Sequence, residues 1–276
     1  MAIFDRNQTA FGRGASPFGS AGLARTEAQV DQGLRAFMLG VYNNMVLGLA
    51  VTGLVALGLS MIAFTGDASA AARAANGAAL RLGGQFLTPT GALLFASPLK
   101  WAIMLAPLAF VFFFTFRMDR MTSGTARNVF LIFSAVMGLS LASIFAVFTG
   151  ESIVQVFFIT AAAFGGLSLW GYTTKRSLSG MGSFLVMGLI GLIIASLVNL
   201  FLASSALAFA ISIIGVLVFA GLTAYDTQRL KEMYLYEVNG DGEAAAKASV
   251  FGALSLYLNF INMFQLLLSL FGQRQE

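Results

Sequence analysis

Long apolar runs are the feature that most constrains the fold of this chain. Residues 206–220, ALAFAISIIGVLVFA, contain no charged side chain, and several other stretches are similarly apolar. A helix needs roughly 20 mostly apolar residues to cross a bilayer. Because backbone groups within lipid must be paired internally, such runs predict membrane-spanning helices. Seven candidates are predicted, at about 37–65, 99–116, 128–149, 153–172, 182–203, 206–225 and 250–271.

The composition supports the same class of protein. Charged residues make up 10% of the chain, whereas soluble domains carry about 25%. We therefore interpret residues 36–276 as an all-α integral membrane domain with seven transmembrane helices. Residues 1–35 form a polar N-terminal arm that is expected to be largely disordered. Residues 66–98 are predicted to be an irregular external insert, whose Ala-rich part favours a short surface helix.

The distribution of basic residues predicts the orientation. Twelve of the 16 Lys and Arg residues fall in segments that are cytoplasmic if the N-terminus is inside, and four fall in the other segments. Cytoplasmic loops of membrane proteins carry such an excess. The N-terminus is therefore expected in the cytoplasm, and the C-terminus, after seven spans, outside.

The residues that are missing exclude several kinds of chemistry. The chain has no His and no Cys, so it lacks the commonest metal ligand and any thiol nucleophile. No nucleophile with an adjacent base can be recognised, so we expect neither enzymatic activity nor a metal or cofactor site. The net charge of +4 comes from loop residues and does not indicate nucleic-acid binding. The lipid bilayer is the expected partner.

A polar stripe marks the seventh predicted span. The stripe follows the 4, 3, 4, 3 spacing of one helix face. A stripe facing lipid would leave two amides unpaired, at several kcal/mol each. The stripe must therefore face other helices or a water-filled path. In the first case the amides bond across the bundle for ~1 kcal/mol each; in the second, Ser255 and Asn262 line the path. The members of the stripe are Ser255, Asn259, Asn262, Leu266 and Ser269.

Asp226 is the first charge after the apolar run 206–220. It could lie at the lipid headgroups and pair along its own helix with Arg229. Alternatively, it could turn inward, face Asn259 and pair with Arg117 or Arg120 at the end of the second span. A carboxylate inside the membrane costs ~3 kcal/mol on insertion scales, so an inward acid would need a partner.

These same segments resemble a known family. GLTAYDTQRLK, which contains Asp226, and GALSLYLNFINMF, which contains Asn259, are similar to the paired signatures of the Bax inhibitor-1 family, also called the transmembrane Bax inhibitor motif family. FRMDRMTSGTA and FSAVMGLSLASIF resemble its second and third spans in the form common to bacterial members. The resemblance covers roughly residues 35–272.

The resemblance implies a fold and a function. The seventh helix would be surrounded by the other six, and the protein would be a pH-sensitive cation leak, described for calcium, in a bacterial inner membrane. Two aspartates on the sixth and seventh helices would sense pH, and an arginine from the second helix would latch the first of them at the cytoplasmic side. By motif, the first aspartate is Asp226, the latch is Arg117 or Arg120, and the second aspartate falls at position 259.

Position 259 departs from that pattern, because this chain has Asn259. Two nearby carboxylates titrate as a coupled pair, which an acid and an amide cannot do. We therefore expect the leak to respond weakly between pH 6 and 8. Calcium prefers 6–8 oxygen ligands, so one carboxylate and two amides would hold Ca²⁺ only in passing; H⁺ is the other candidate ion.

A different class of function is also compatible with the resemblance. Some bacterial relatives are described as modulators of a membrane AAA protease. The chain would then be a non-conducting regulator of such a protease or of a stress response. The N-terminal arm would be a handle for the protease, and the polar stripe would be packing.

Overall fold

The computed structural model describes residues 27–117, 120–238 and 241–275. Nearly all of these residues are helical. The predicted disorder of the N-terminal arm falls largely on residues 1–26, which lie outside the described residues. The α-helices are α1 (Glu27–Ala63), α2 (Pro89–Gly91), α3 (Leu99–Arg117), α4 (Ser123–Leu141), α5 (Ile144–Val147), α6 (Gly150–Thr173), α7 (Ser179–Leu202), α8 (Ser205–Met233) and α9 (Gly242–Phe271).

The predicted spans are confirmed, with one of them broken. Among the described residues, six helices are long and apolar enough to cross a membrane. The seventh candidate is a bent pair, Pro89–Ala96 followed by Leu99–Phe114, whose axes differ by 62°. Ser97 is extended and precedes Pro98, as expected because a proline disfavours helical backbone at the residue before it. The second span is therefore not one straight helix.

The first helix begins earlier than predicted. It starts at Glu27 rather than near residue 37, so residues 27–35 are helical and not part of a separate arm. Leu34 is buried, and the ring of Phe37 stacks on that of Tyr234 at 5.1 Å. The polar beginning of α1 is thus held by packing against the turn that follows α8, Tyr234–Val238.

The insert at 66–98 is more ordered than predicted. It forms, with the end of α1, a three-stranded antiparallel sheet in the order β1-β3-β2, made of β1 (Phe64–Thr65), β2 (Arg81–Leu82) and β3 (Gln85–Leu87). The Ala-rich part contains a single short 3₁₀ turn, Ala68–Ala70, rather than a surface helix. A tight turn with positive φ at Gly77 folds that part back on itself instead.

The helices pack around α9, which is the most buried of the spanning helices. Its most extensive contacts are with α1, α4, α6 and α8, while α3 packs mainly on α4 and α7 mainly on α8. The predicted central position of the last helix is confirmed, with α3 and α7 on the outside of its nearest neighbours.

The C-terminal tail and the insert meet at one end of the bundle. The backbone N–H of Thr149 donates to Gln273 O, and that of Gln275 donates to Val147 O, each at 2.9 Å. The N–H of Gly84 donates to Ala146 O at 3.1 Å. The C-terminus and the insert therefore share an end, as the alternation of seven spans requires. Which side of a membrane that end faces stays a prediction.

Candidate functional site

Asp226 and Asn259 form a direct contact between α8 and α9. The Asn259 side-chain Nδ2 donates to Asp226 Oδ2 at 2.7 Å. Asn259 is buried and Asp226 half-buried. The helices approach closely because Gly252 has no side chain: a Cβ there would lie 2.5 Å from Leu230 Cδ2. The predicted inward orientation of Asp226 and its pairing with position 259 agree with this geometry.

The structure does not bring the predicted latch arginines to Asp226. Arg117 and Arg120 are both exposed, and within the described ranges no ion pair joins either of them to the carboxylate. The basic residue beside Asp226 is Arg229, one helical turn further along α8, which lines the same small pocket. The reason is the packing order: α3, which carries Arg117, packs on α4 rather than on α8.

A neutral amide therefore takes the place of the expected cation. Burying a charge requires a compensating hydrogen bond or opposite charge, and the Asn259 amide supplies the hydrogen bond. The alternative interpretation, in which Asp226 lies at the headgroups and bonds only to Arg229, also differs from the structure, because the carboxylate bonds across to α9.

The space beside the pair is very small. Asp226, Arg229 and Ser255 line a pocket of about 10 Å³ between α8 and α9. A single water needs roughly 10–15 Å³ of such volume. Ser255, predicted to line a path, does lie beside Asp226, but the space there is no larger than one water molecule.

Asn262, the other predicted lining residue, lies elsewhere. Its Nδ2 donates to Leu258 O in its own helix at 2.8 Å. It lines a separate cavity of about 640 Å³ between α3, α4 and α9. The cavity also has Ser140, Gln265 and Lys100 on its walls. It shares no lining residue with the Asp226 pocket, so the stripe on α9 is split between two sites.

The sequence analysis missed the role of Gln228. This buried side chain accepts a hydrogen bond from the Leu178 N–H at 2.6 Å and donates to Arg176 O at 2.9 Å. Both partners belong to the loop between α6 and α7. The position of Gln228, two residues after Asp226 in the same motif, was the available signal in the sequence. Its hydrogen bonds to the loop backbone depend on the conformation of that loop, which residue spacing does not reveal.

Two further residues of the motif bind other helices. Lys231 Nζ donates to Tyr172 O at the end of α6 and lies 5.3 Å from the centre of the Tyr172 ring. A cation is favoured at a helix C-terminus. Thr227 shares a hydroxyl contact of 3.0 Å with Ser168, which in turn contacts the Tyr42 hydroxyl at 2.6 Å. The motif around Asp226 thus ties α8 to α1, α6, α7 and α9.

Tyr257 fixes the α9 side of the site. Its buried hydroxyl lies 2.6 Å from Thr52 Oγ1, which donates to Ser134 O at 2.8 Å. Its ring packs edge-on against Phe130 and Phe133. Because Tyr257 lies two residues before Asn259, this contact with α1 and α4 fixes the rotation of α9 that aims Asn259 at Asp226.

The site offers few charged ligands. Among the residues that the structure describes, no group of three or more acidic side chains lies close enough together to hold a metal ion. The Asp226–Asn259 pair can therefore offer a passing cation one carboxylate and one amide oxygen, together with the Ser255 hydroxyl beside them.

Comparison with known proteins agrees with the architecture. The family described as inhibitor of apoptosis-promoting Bax1 matches residues 34–276. An uncharacterized protein of Caulobacter vibrioides is 48% identical over 252 residues, covering 91% of this chain and 94% of that protein. The inner membrane protein YbhL of Escherichia coli is 42% identical over 248 residues, 90% of this chain and 95% of its own length. The chain therefore belongs to the Bax inhibitor-1 family of multi-pass membrane proteins.

Proposed function

We propose that this protein is a cation leak of a bacterial inner membrane, held closed by the contact between Asp226 and Asn259. The observation that carries the proposal is a carboxylate inside the helix bundle with a buried amide as its partner. Ionisable residues within membrane bundles are costly and mark ion or proton paths. The cavity that Asn262 lines is the space through which a cation would approach from the C-terminal end.

The closed contact has no arginine latch. Opening requires the Asn259 amide to leave the Asp226 carboxylate, which then becomes available to a cation. With a single carboxylate at the contact, conduction of Ca²⁺ would rest on weak and transient binding, which conduction tolerates. The same single acid means that pH dependence comes from Asp226 alone and not from a coupled pair.

The proposed location and orientation rest on two supports. The E. coli relative is an inner membrane protein, and the excess of basic residues predicts a cytoplasmic N-terminus and an external C-terminus. Asp226 would then lie toward the cytoplasmic side of the membrane. We propose no enzymatic activity, because the pair contains no nucleophile with an activating base.

The test is cation flux into liposomes that contain the purified protein, for Ca²⁺, K⁺ and H⁺ at pH 5 to 8. Asp226→Asn should change the flux, because it removes the negative charge at the contact and keeps the shape of the side chain. A rise would show that the weakened contact opens more readily, and a fall would show that a passing cation binds the carboxylate. Glu232→Gln is the matched control, since Glu232 is an exposed acid on the same helix. Equal flux in the two variants would contradict a role for Asp226 in conduction.

A second candidate function is regulation without conduction. The observation in its favour is that the cavities near Asp226 and Asn262 share no lining residue. The protein would then modulate a membrane AAA protease or a stress response. Absence of flux in the unmodified protein would favour this function, and deletion of residues 1–26 should then change its turnover by the protease.

A further inference from the structure

A long groove separates α1 from α6 on the outside of the bundle. It consists of three adjoining cavities of about 460, 690 and 230 Å³. The first two share Met45 and Phe164, and the second and third share Gly53 and Phe260. Helices α1 and α6 form the walls, and Phe260 of α9 lies on the floor.

The length and lining of the groove suit a lipid acyl chain. Arg35 lies at one end, and Gly53 is 18 residues further along α1, or about 27 Å at 1.5 Å per residue. This length is close to the ~30 Å thickness of the hydrocarbon region of a bilayer, of which one leaflet makes up half. An acyl chain that enters at the Arg35 end would therefore reach Gly53 only when it is extended past the midplane. Apart from its first part, the lining is almost entirely apolar.

Two glycines keep the groove open. A Cβ built at Gly53 or at Gly165 would meet no heavy atom within 4 Å. Both residues line the groove, one on each wall. Side chains at these positions would occupy the groove without clashing with the protein. The packing of the helices therefore does not require glycine here, and the groove has room for a bound molecule.

The end of the groove at Arg35 is basic and amphipathic. The exposed Arg35 side chain and Tyr172 line it together, and Lys231 Nζ lies over the Tyr172 ring. Asp31 of α1 is exposed one turn further from the groove. Basic residues at a membrane surface attract anionic headgroups, and tyrosines favour the headgroup level.

We propose that this groove binds one anionic phospholipid from the leaflet at the Arg35 end, with its phosphate at Arg35 and an acyl chain along Met45, Phe164 and Gly53. The lipid would touch α9 of the candidate gate directly and would be linked to α8 only through hydrogen-bonded side chains. Phe260 on the groove floor follows Asn259 in α9, and Tyr42 in the wall is linked through Ser168 to Thr227, which follows Asp226 in α8.

The test is native mass spectrometry of the full-length protein in detergent, with added phosphatidylglycerol or phosphatidylcholine of identical acyl chains. The unmodified protein should retain one phosphatidylglycerol in preference to phosphatidylcholine. Gly165→Leu should lose both, because its side chain fills the groove. The matched control is Gly166→Leu, whose side chain also meets open space but lies outside the groove, and it should bind as the unmodified protein does.

Arg35→Gln tests the contribution of the lipid headgroup to binding separately from that of the acyl chain. It should weaken phosphatidylglycerol binding roughly fivefold, the effect of one basic residue near a charged surface, and leave phosphatidylcholine binding unchanged. Equal retention of the two lipids by the unmodified protein, or undiminished binding by Gly165→Leu, would overturn the proposal. If Gly165→Leu does not fold, Gly53→Leu with Gly58→Leu as its control decides by the same criterion, since both glycines face open space and only Gly53 lines the groove.

Discussion

Removing the Asn259 amide tests the candidate gate most directly. In the structure its Nδ2 donates to Asp226 Oδ2 at 2.7 Å, and Asn259 is 5% exposed. Asn259→Ala leaves the half-buried carboxylate without this donor. A hydrogen bond to a charged group contributes about 1.5–3 kcal/mol. At about 1.4 kcal/mol per factor of ten, the ratio of closed to open protein should fall about tenfold to a hundredfold.

The assay is the initial rate of Ca²⁺ and K⁺ entry into liposomes at pH 7. If the unmodified protein is mostly closed, the flux of Asn259→Ala should rise by at least about tenfold, since the open fraction rises with the same ratio. Asn262→Ala provides the comparison in the same helix. The Asn262 amide donates to Leu258 O in its own helix and not to Asp226, so its loss should not release the Asp226–Asn259 contact or raise the flux.

An equal change in the two variants would refute the reasoning, because it would show that any loss of an amide on α9 has the same effect. A rise of less than twofold in Asn259→Ala would show that the contact does not hold the path closed.

Four further predictions concern pH, stability and topology. Asn259→Asp places a second acid beside Asp226, so the two acids share a proton. The flux of this variant should therefore vary with pH near neutrality, whereas the flux of the unmodified protein should vary only weakly. Flux curves that superimpose would place position 259 outside the gate. Gln228→Ala removes two hydrogen bonds to the α6–α7 loop and should lower the free energy of unfolding by about 2–4 kcal/mol, measured by thermal unfolding in detergent; an unchanged midpoint would contradict this structural role. Gly171→Leu should lower the free energy of unfolding by about 1–3 kcal/mol, because a Cβ at this position would overlap the Ala224 carbonyl and push α6 away from α8. Gly166→Leu should leave the free energy of unfolding unchanged in the same measurement. Reporter fusions should place the N-terminus in the cytoplasm and the C-terminus outside; both termini on one side would rule out seven crossings.

The fold was predictable because hydrocarbon imposes a simple rule on sequence. Each span needs about 20 apolar residues, and all six long helices begin within ten residues of their predicted starts. The break in the second span was harder to predict, because Pro89–Ala96 is too short to cross a membrane unless it is joined to α3. The sheet formed by the insert was missed because its strands are two or three residues long and carry no clear alternation of polar and apolar residues.

The site was predictable only where helix geometry determines it. The stripe on α9 placed Asn259 inside the bundle, and the position of Asp226 at the end of an apolar run placed it nearby. Gln228 and Lys231 bind backbone carbonyl and amide groups of α6 and the loop after it. Such contacts depend on the path of that backbone, and no periodicity in the sequence encodes the path.

The residue at position 259 explains how Asp226 is accommodated without an arginine. Sequence reasoning assumed that an inward carboxylate needs a cation, and the family resemblance implied two carboxylates at this point. Two acids in contact repel unless they share a proton or a cation lies between them. An acid and an amide instead attract, because the amide donates a hydrogen bond. With Asn259 in place, Asp226 is satisfied by a neutral neighbour, and Arg117 and Arg120 are left exposed at the surface. The packing of α3 on α4 keeps Arg117 away from Asp226, and Asn259 supplies the hydrogen-bond donor in its place. In the proposed closed state the contact uses an uncharged donor, so its strength should depend little on salt, whereas a contact that relied on an arginine would weaken as salt screens the two charges.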